Sequence, residues 1–137
     1  MKYFYHILFI VCCLSCKSND AEKKSYEAQK INIAEKEEKD ALDFIVVKGE
    51  SKKHILGRTV VRGTLQNNAS LCSYKNCRVK QIAFANNKQV EEHEDIIELV
   101  ITPGATVDFK TRYKLPKGTD SVALSIMKVE LAECNAE

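Results

Sequence analysis

Glu91-Glu92-His93-Glu94-Asp95 sets a histidine among a run of acidic side chains. An imidazole among four carboxylates could hold a divalent cation or move a proton. Oxygen-ligand calcium loops, however, use alternate carboxylates with a glycine that bends the chain, and this run has no glycine. Neither His93 nor His54 stands at a zinc-ligand spacing from another histidine or from a cysteine pair. The segment therefore reads first as a solvated acidic strand end. A small metal-handling or hydrolytic protein built on His93 is the second reading. No metal ligand set and no cofactor motif is legible.

Six cysteines are present. Cys12, Cys13 and Cys16 lie near the start, and Cys72, Cys77 and Cys134 lie beyond. A nucleophilic cysteine needs a base and an activating environment. The polar run Ser73-Tyr74-Lys75-Asn76 between Cys72 and Cys77 offers neither. Cys72 and Cys77 flank this turn-like run and are the first candidates for a disulfide, a small ring contributing about 2 kcal/mol. Cys72–Cys134, Cys77–Cys134 and three unpaired thiols stay open, because connectivity is not fixed by sequence. No nucleophile elbow, phosphate-cradling glycine loop or Ser/His/Asp grouping occurs. The expectation is a protein that is not an enzyme.

The N-terminus carries the most specific pattern. Met1-Lys2 is followed by an apolar run over 7–14, then Ser15-Cys16, then the polar Lys17-Ser18-Asn19-Asp20. The run is too short for the roughly 20 residues of a spanning helix and suits a signal-peptide core of about 7–15. Leu14-Ser15-Cys16 in this order resembles the signal peptide and lipobox of a bacterial lipoprotein. The resemblance implies a signal peptide over 1–15, lipid on Cys16, and a membrane anchor outside the cytosol. Cys13 is the competing position, since Leu14 stands one place later than the pattern prefers. The implied location is the cell envelope, lipid-anchored to the outer membrane and facing either the periplasm or the surface. At about 0.8 kcal/mol per buried methylene, two or three acyl chains make such an anchor effectively permanent.

Residues 16–41 then form a charged tether and 42–137 a single domain. The tether lacks Gly and Pro, is rich in helix formers and places Glu35 and Lys39 at a favourable i, i+4 spacing. Its larger apolar residues are Tyr26, Ile31 and Ile33, which make no continuous stripe, so a partly helical spacer is expected. The domain, roughly 95 residues, is enough for one core. Net charge is +2 with both signs interspersed; no basic stripe interleaved with aromatics points to nucleic acid. Lys48, Lys52, Lys53, His54 and Arg58 read as residues that solvate a strand and its turn. Contact with anionic lipid or glycan is their functional alternative.

From residue 43 the texture is β. Strands are expected over 43–48, 54–66, 76–86, 90–101, 106–115 and 121–131. Turns are expected at Lys48-Gly49-Glu50-Ser51, Asn67-Asn68, Asn86-Asn87-Lys88, Thr102-Pro103-Gly104 and 116–120. Val107, Phe109, Thr111, Tyr113 and Leu115 alternate with Asp108, Lys110, Arg112 and Lys114, as in a half-buried antiparallel strand. Ile97, Leu99 and Ile101 make a second inward row. In the last strand Val122, Leu124 and Ile126 oppose Ala123, Ser125, Met127 and Val129. Short strands separated by turn signals indicate an all-β antiparallel sandwich of about six to seven strands.

Three segments resemble immunoglobulin-like extracytoplasmic domains of the FxLYD type. Val61-Arg62-Gly63-Thr64-Leu65-Gln66-Asn67 is similar to their "G-x-hydrophobic-x-Asn" strand, and 77–84 to the next. Thr102-Pro103-Gly104 with Phe109 is similar to their Pro-Gly corner. Phe84-Ala85-Asn86-Asn87 stands where the naming run would be. The resemblance implies an immunoglobulin-like sandwich serving as an interaction or accessory module, with an envelope protein or glycan as partner and no catalytic residues.

Overall fold

A computed structural model describes residues 19–53 and 59–135. The expected β-sandwich is present. Among the described residues two helices, α1 (Asn19–Lys39) and the single turn α2 (Ala41–Phe44), precede six strands. These are β1 (Ile45–Lys53), β2 (Thr59–Asn67), β3 (Cys72–Ala85), β4 (Lys88–Ile97), β5 (Thr106–Tyr113) and β6 (Ser121–Cys134). They form two antiparallel three-stranded sheets, ordered β1-β2-β5 and β4-β3-β6. The chain changes sheet after β2, β4 and β5. Leu65 and Phe109 of one sheet share a buried cluster with Cys77, Val79 and Ile97 of the other.

Local chemistry explains the corners. Asn86 and Asn87 both have positive φ (52° and 59°), the primed-turn backbone that matches strand twist in a two-residue hairpin. Gly104 takes φ +72° behind Pro103, and Ala105 N–H donates to Thr102 C=O at 3.0 Å. Asn67 is fully buried and knits three segments: its amide donates to Cys72 C=O and Ile101 C=O, both at 2.9 Å, and its oxygen accepts from Ala69 N–H at 2.8 Å. The residues carrying the family resemblance thus occupy packing and corner positions.

Four expectations need correction. Lys48-Gly49-Glu50-Ser51 is not a turn but the middle of β1, with Gly49 paired to Gly63. A Cβ on Gly49 would lie 2.5 Å from Leu124 Cδ1 and one on Gly63 2.5 Å from Phe109 Cζ. Gly49 lets β6 of the other sheet approach closely, and Gly63 makes room for the ring of its own cross-strand partner Phe109; neither reverses the chain. Leu99 is exposed, because β4 ends at Ile97 and Ile101 is held separately against Tyr74. Val129 packs on the core: the register against β3 shifts near Arg78, so Met127 and Lys128 are both exposed and the alternation flips beyond them. Cys72 bonds to Cys134, not to Cys77. Cys72 and Cys77 sit on one strand, five residues or about 16 Å apart when extended, whereas Cys134 is the cross-strand partner of Cys72.

The tether is a continuous helix of 21 residues, about 30 Å long at 1.5 Å per residue. Its side chains from Asp20 to Ile33 are exposed apart from a half-buried Lys30. Its last turns are docked, with Ala34 and Glu37 buried.

Candidate functional site

Three places hold the polar chemistry of the described residues. The first is the join of α1 to the sandwich. Glu37 is 2% exposed. Its carboxylate accepts backbone N–H bonds from Ser70 (2.6 Å), Leu71 (2.9 Å) and Cys72 (2.9 Å). Its own C=O accepts from Tyr74 Oη at 2.7 Å. A carboxylate met by three converging donors is a strong charge-assisted clasp. Burial, reinforced by the Glu37 charge, pushes the Tyr74 phenol up to about 12. The Cys72–Cys134 disulfide lies next to this clasp. Cys77 is a buried free thiol whose pKa burial raises to about 11, which makes it a weak nucleophile at neutral pH.

The second lies between the sheets at the opposite end. Alternation on β4 turns Glu91, His93 and Asp95 inward and Glu92 and Glu94 outward. Gln81 donates to Thr111 Oγ1 at 2.9 Å and to Tyr113 Oη, and Tyr113 donates to Asp95. The His93 ring stacks on Tyr113 with centroids 4.8 Å apart, and its Nε2 lies 2.8 Å from Glu91 Oε1. Burial and the bond to Asp95 raise the Tyr113 pKa, against a smaller lowering by Thr111. Gln81 Oε1 is buried without a hydrogen-bond partner among the described residues. The acidic segment is therefore half interior, not the wholly solvated strand end expected from sequence. No three His, Cys, Asp or Glu side chains among the described residues converge to hold a metal ion. His93 is committed to a ring stack and one carboxylate.

The third is the outer surface of the β1-β2-β5 sheet. Two cross-strand rows, Lys48-Thr64-Asp108 and Glu50-Arg62-Lys110, border the backbone of Gly49, Gly63 and Phe109. They line an open dish of about 510 Å³ to which the facing sheet contributes nothing. Among the described residues, Lys48, Arg62, Lys110 and Arg112 make no ion pair. The outer face of the other sheet differs: Arg78 meets Glu94 at 3.4 Å, and Lys80 meets Glu92 at 3.3 Å and Glu94 at 3.9 Å.

Of the basic cluster expected from sequence, Lys48 reaches this dish. His54 and Arg58 lie outside the described residues, as do the side chains of Lys52 and Lys53, and as do Cys12, Cys13 and Cys16. Arg62 and Lys110 were not legible as partners of Lys48, since they come from strands that meet only in the folded sheet.

No family model and no curated protein matches this chain. Among solved structures, the chain is similar to one titled "X-ray structure of Northeast Structural Genomics Consortium target SoR45". Identity is 15% and the TM-score 0.39, over 64% of this chain and 85% of that one. The described chain is an all-β sandwich of two antiparallel sheets on a helical stalk; the strands and their ladders alone define that class.

Proposed function

We propose that the protein is a membrane-anchored cell-envelope lipoprotein whose sandwich is a non-catalytic binding or accessory module. Lipid on Cys16 would hold it to the outer membrane, and an envelope protein or glycan would be its partner. The observation that carries this reading is the path from Cys16 to the sandwich. The helix α1 begins at Asn19, three residues after the anchor, and ends in the Glu37 clasp. A solvated helix of about 30 Å fixed at its far end is a spacer that sets a distance, which a domain acting on its own membrane surface would not need.

Metabolic labelling with an alkynyl fatty acid tests it. Wild-type protein should be labelled and pellet with membranes. Cys16→Ala should lose both properties while Cys13→Ala keeps them. A wild-type chain that carries no acyl label would sink the reading.

A further inference from the structure

We propose that the dished outer face of the β1-β2-β5 sheet binds an acidic glycan, a hydroxyl-rich chain bearing carboxylate or phosphate groups. This rests on the reading of the protein as a binding module and supplies its ligand class. The charge pattern argues for it. Lys48, Arg62 and Lys110 are exposed around one concavity and unpaired among the described residues. The opposite sheet neutralises its own outer cations with Glu92 and Glu94. Unpaired cations on a concave surface concentrate a positive field where an acid group would sit. The dish, about 510 Å³, falls in the size range of small-molecule sites.

The rest of the lining separates a glycan from a bare polyanion. Arg62, at the centre of its row, offers a planar fork suited to carboxylate or phosphate. Asp108 and Thr64 border the same space and suit hydroxyl groups, and Glu50 adds a second carboxylate to the rim. Two carboxylates repel a uniform polyanion, but a sugar chain alternates acid groups with hydroxyls and can use both sets. Phe109 is turned into the core, so no aromatic platform is offered there and attraction must be ionic. A bilayer fits less well. The face belongs to a domain carried on a stalk of about 30 Å, beyond the 8–10 Å over which surface charge acts at physiological salt.

Calorimetric titration of the full chain in non-ionic detergent provides the test, with oligogalacturonate as the acidic glycan. Dextran, poly-glutamate and phosphatidylglycerol vesicles are the comparison ligands. Oligogalacturonate should bind best, and by about tenfold less once salt screens the face. Arg62→Glu with Lys110→Glu should abolish binding. The milder pair Arg62→Gln and Lys110→Gln should weaken it about tenfold with melting unchanged, as for exposed surface changes. Lys80→Glu on the opposite sheet should leave it within about twofold. No binding at low salt would overturn the proposal. So would equal binding of dextran, equal or tighter binding of poly-glutamate or vesicles, or an equal loss in Lys80→Glu. Since affinity is read in detergent, it does not depend on the anchor. Absent glycan binding with Cys16 acylated sinks this inference alone; an unlabelled Cys16 sinks only the lipoprotein reading.

Discussion

At the end of the sandwich where α1 arrives, Leu65, Tyr74, Ile101 and the Cys72–Cys134 bond make a dry, cross-linked core. Glu37 and Asn67 there have their hydrogen bonds met by fixed backbone groups. At the far end the space between the sheets holds Gln81, Asp95, Thr111, Tyr113 and His93, and Gln81 Oε1 is unpartnered among the described residues. The two ends bury polar groups by different means. One uses backbone donors and acceptors that cannot move away; the other uses side chains that hold one another. Stability should therefore concentrate where the stalk joins, and substitutions of similar size should cost far more there.

Removing the disulfide should produce the largest difference. It closes a separation of 62 residues, which on the chain-entropy model contributes about 4 kcal/mol. Cys134→Ser should lower stability by that order in denaturant titrations, and reductant should reproduce the loss in wild-type protein. A loss below about 1 kcal/mol would mean that the unfolded chain is already restricted near this end.

The Glu37 clasp comes next. Glu37→Ala strands three backbone donors in a buried place, at a cost of about 3 kcal/mol. Glu37→Gln retains one acceptor oxygen and should lose roughly half of that. Proteolysis within 30–40 should speed up in the Ala variant before global unfolding, because the stalk would lose its fixed end. Equal protection in both proteins would break the comparison, since the stalk would then be held by something other than this carboxylate.

Much of this was legible from residue types and much was not, for a common reason. Asn86-Asn87 and Pro103-Gly104 were readable because turn chemistry is local, and 106–113 because alternation is local too. Gly49 was not, because nothing nearby shows that Leu124 fills the place of its missing side chain. Val129 was misplaced because a register shift against β3 near Arg78 reverses which face it takes, and only the paired strand shows that shift. Glu37 sits in a helix of charged residues and looks like its neighbours until the segment 70–72 presents three N–H groups to it. The dish suffers the same fate: Lys48, Arg62 and Lys110 are far apart in sequence and adjacent only through the ladder.

Alkaline titration sharpens the contrast further. Cys77 and Tyr74 belong to the dry cluster, and burial raises both, from 9.0 to about 11 and from 10.0 to about 12. Each holds its proton more tightly when folded, so its contribution is complete below the unfolded pKa and lost as pH rises through the folded one. Stability should fall from about pH 9 upward, with Cys77 accounting for on the order of 2–3 kcal/mol by pH 11. Cys77→Ala should start lower at neutral pH, yet stay flat until about pH 10, where the raised tyrosines Tyr74 and Tyr113 begin to contribute. A wild-type curve flat to pH 11 would show that the cluster opens to solvent and is not the dry end.

The smallest effect should come from the far end, and a matched pair of buried amides measures it. Asn67 is 0% and Gln81 3% exposed. Asn67→Leu would remove three hydrogen bonds, stripping the Asn67 partner from Ala69 N–H and Cys72 C=O and leaving Ile101 C=O with only its bond from Tyr74 N–H, a loss of about 3 kcal/mol at typical desolvation costs. Gln81→Met removes a side chain whose oxygen already lacks a partner among the described residues. Thr111 and Tyr113 can turn their hydroxyls, and Tyr113 keeps Asp95 as acceptor. The lost bonds and the relieved oxygen should then nearly cancel, leaving a change within about 1 kcal/mol. A Gln81→Met loss as large as that of Asn67→Leu would mean that side chains holding one another can fix an interior as firmly as backbone does. In that case the far end would have to be treated as a second structural clasp.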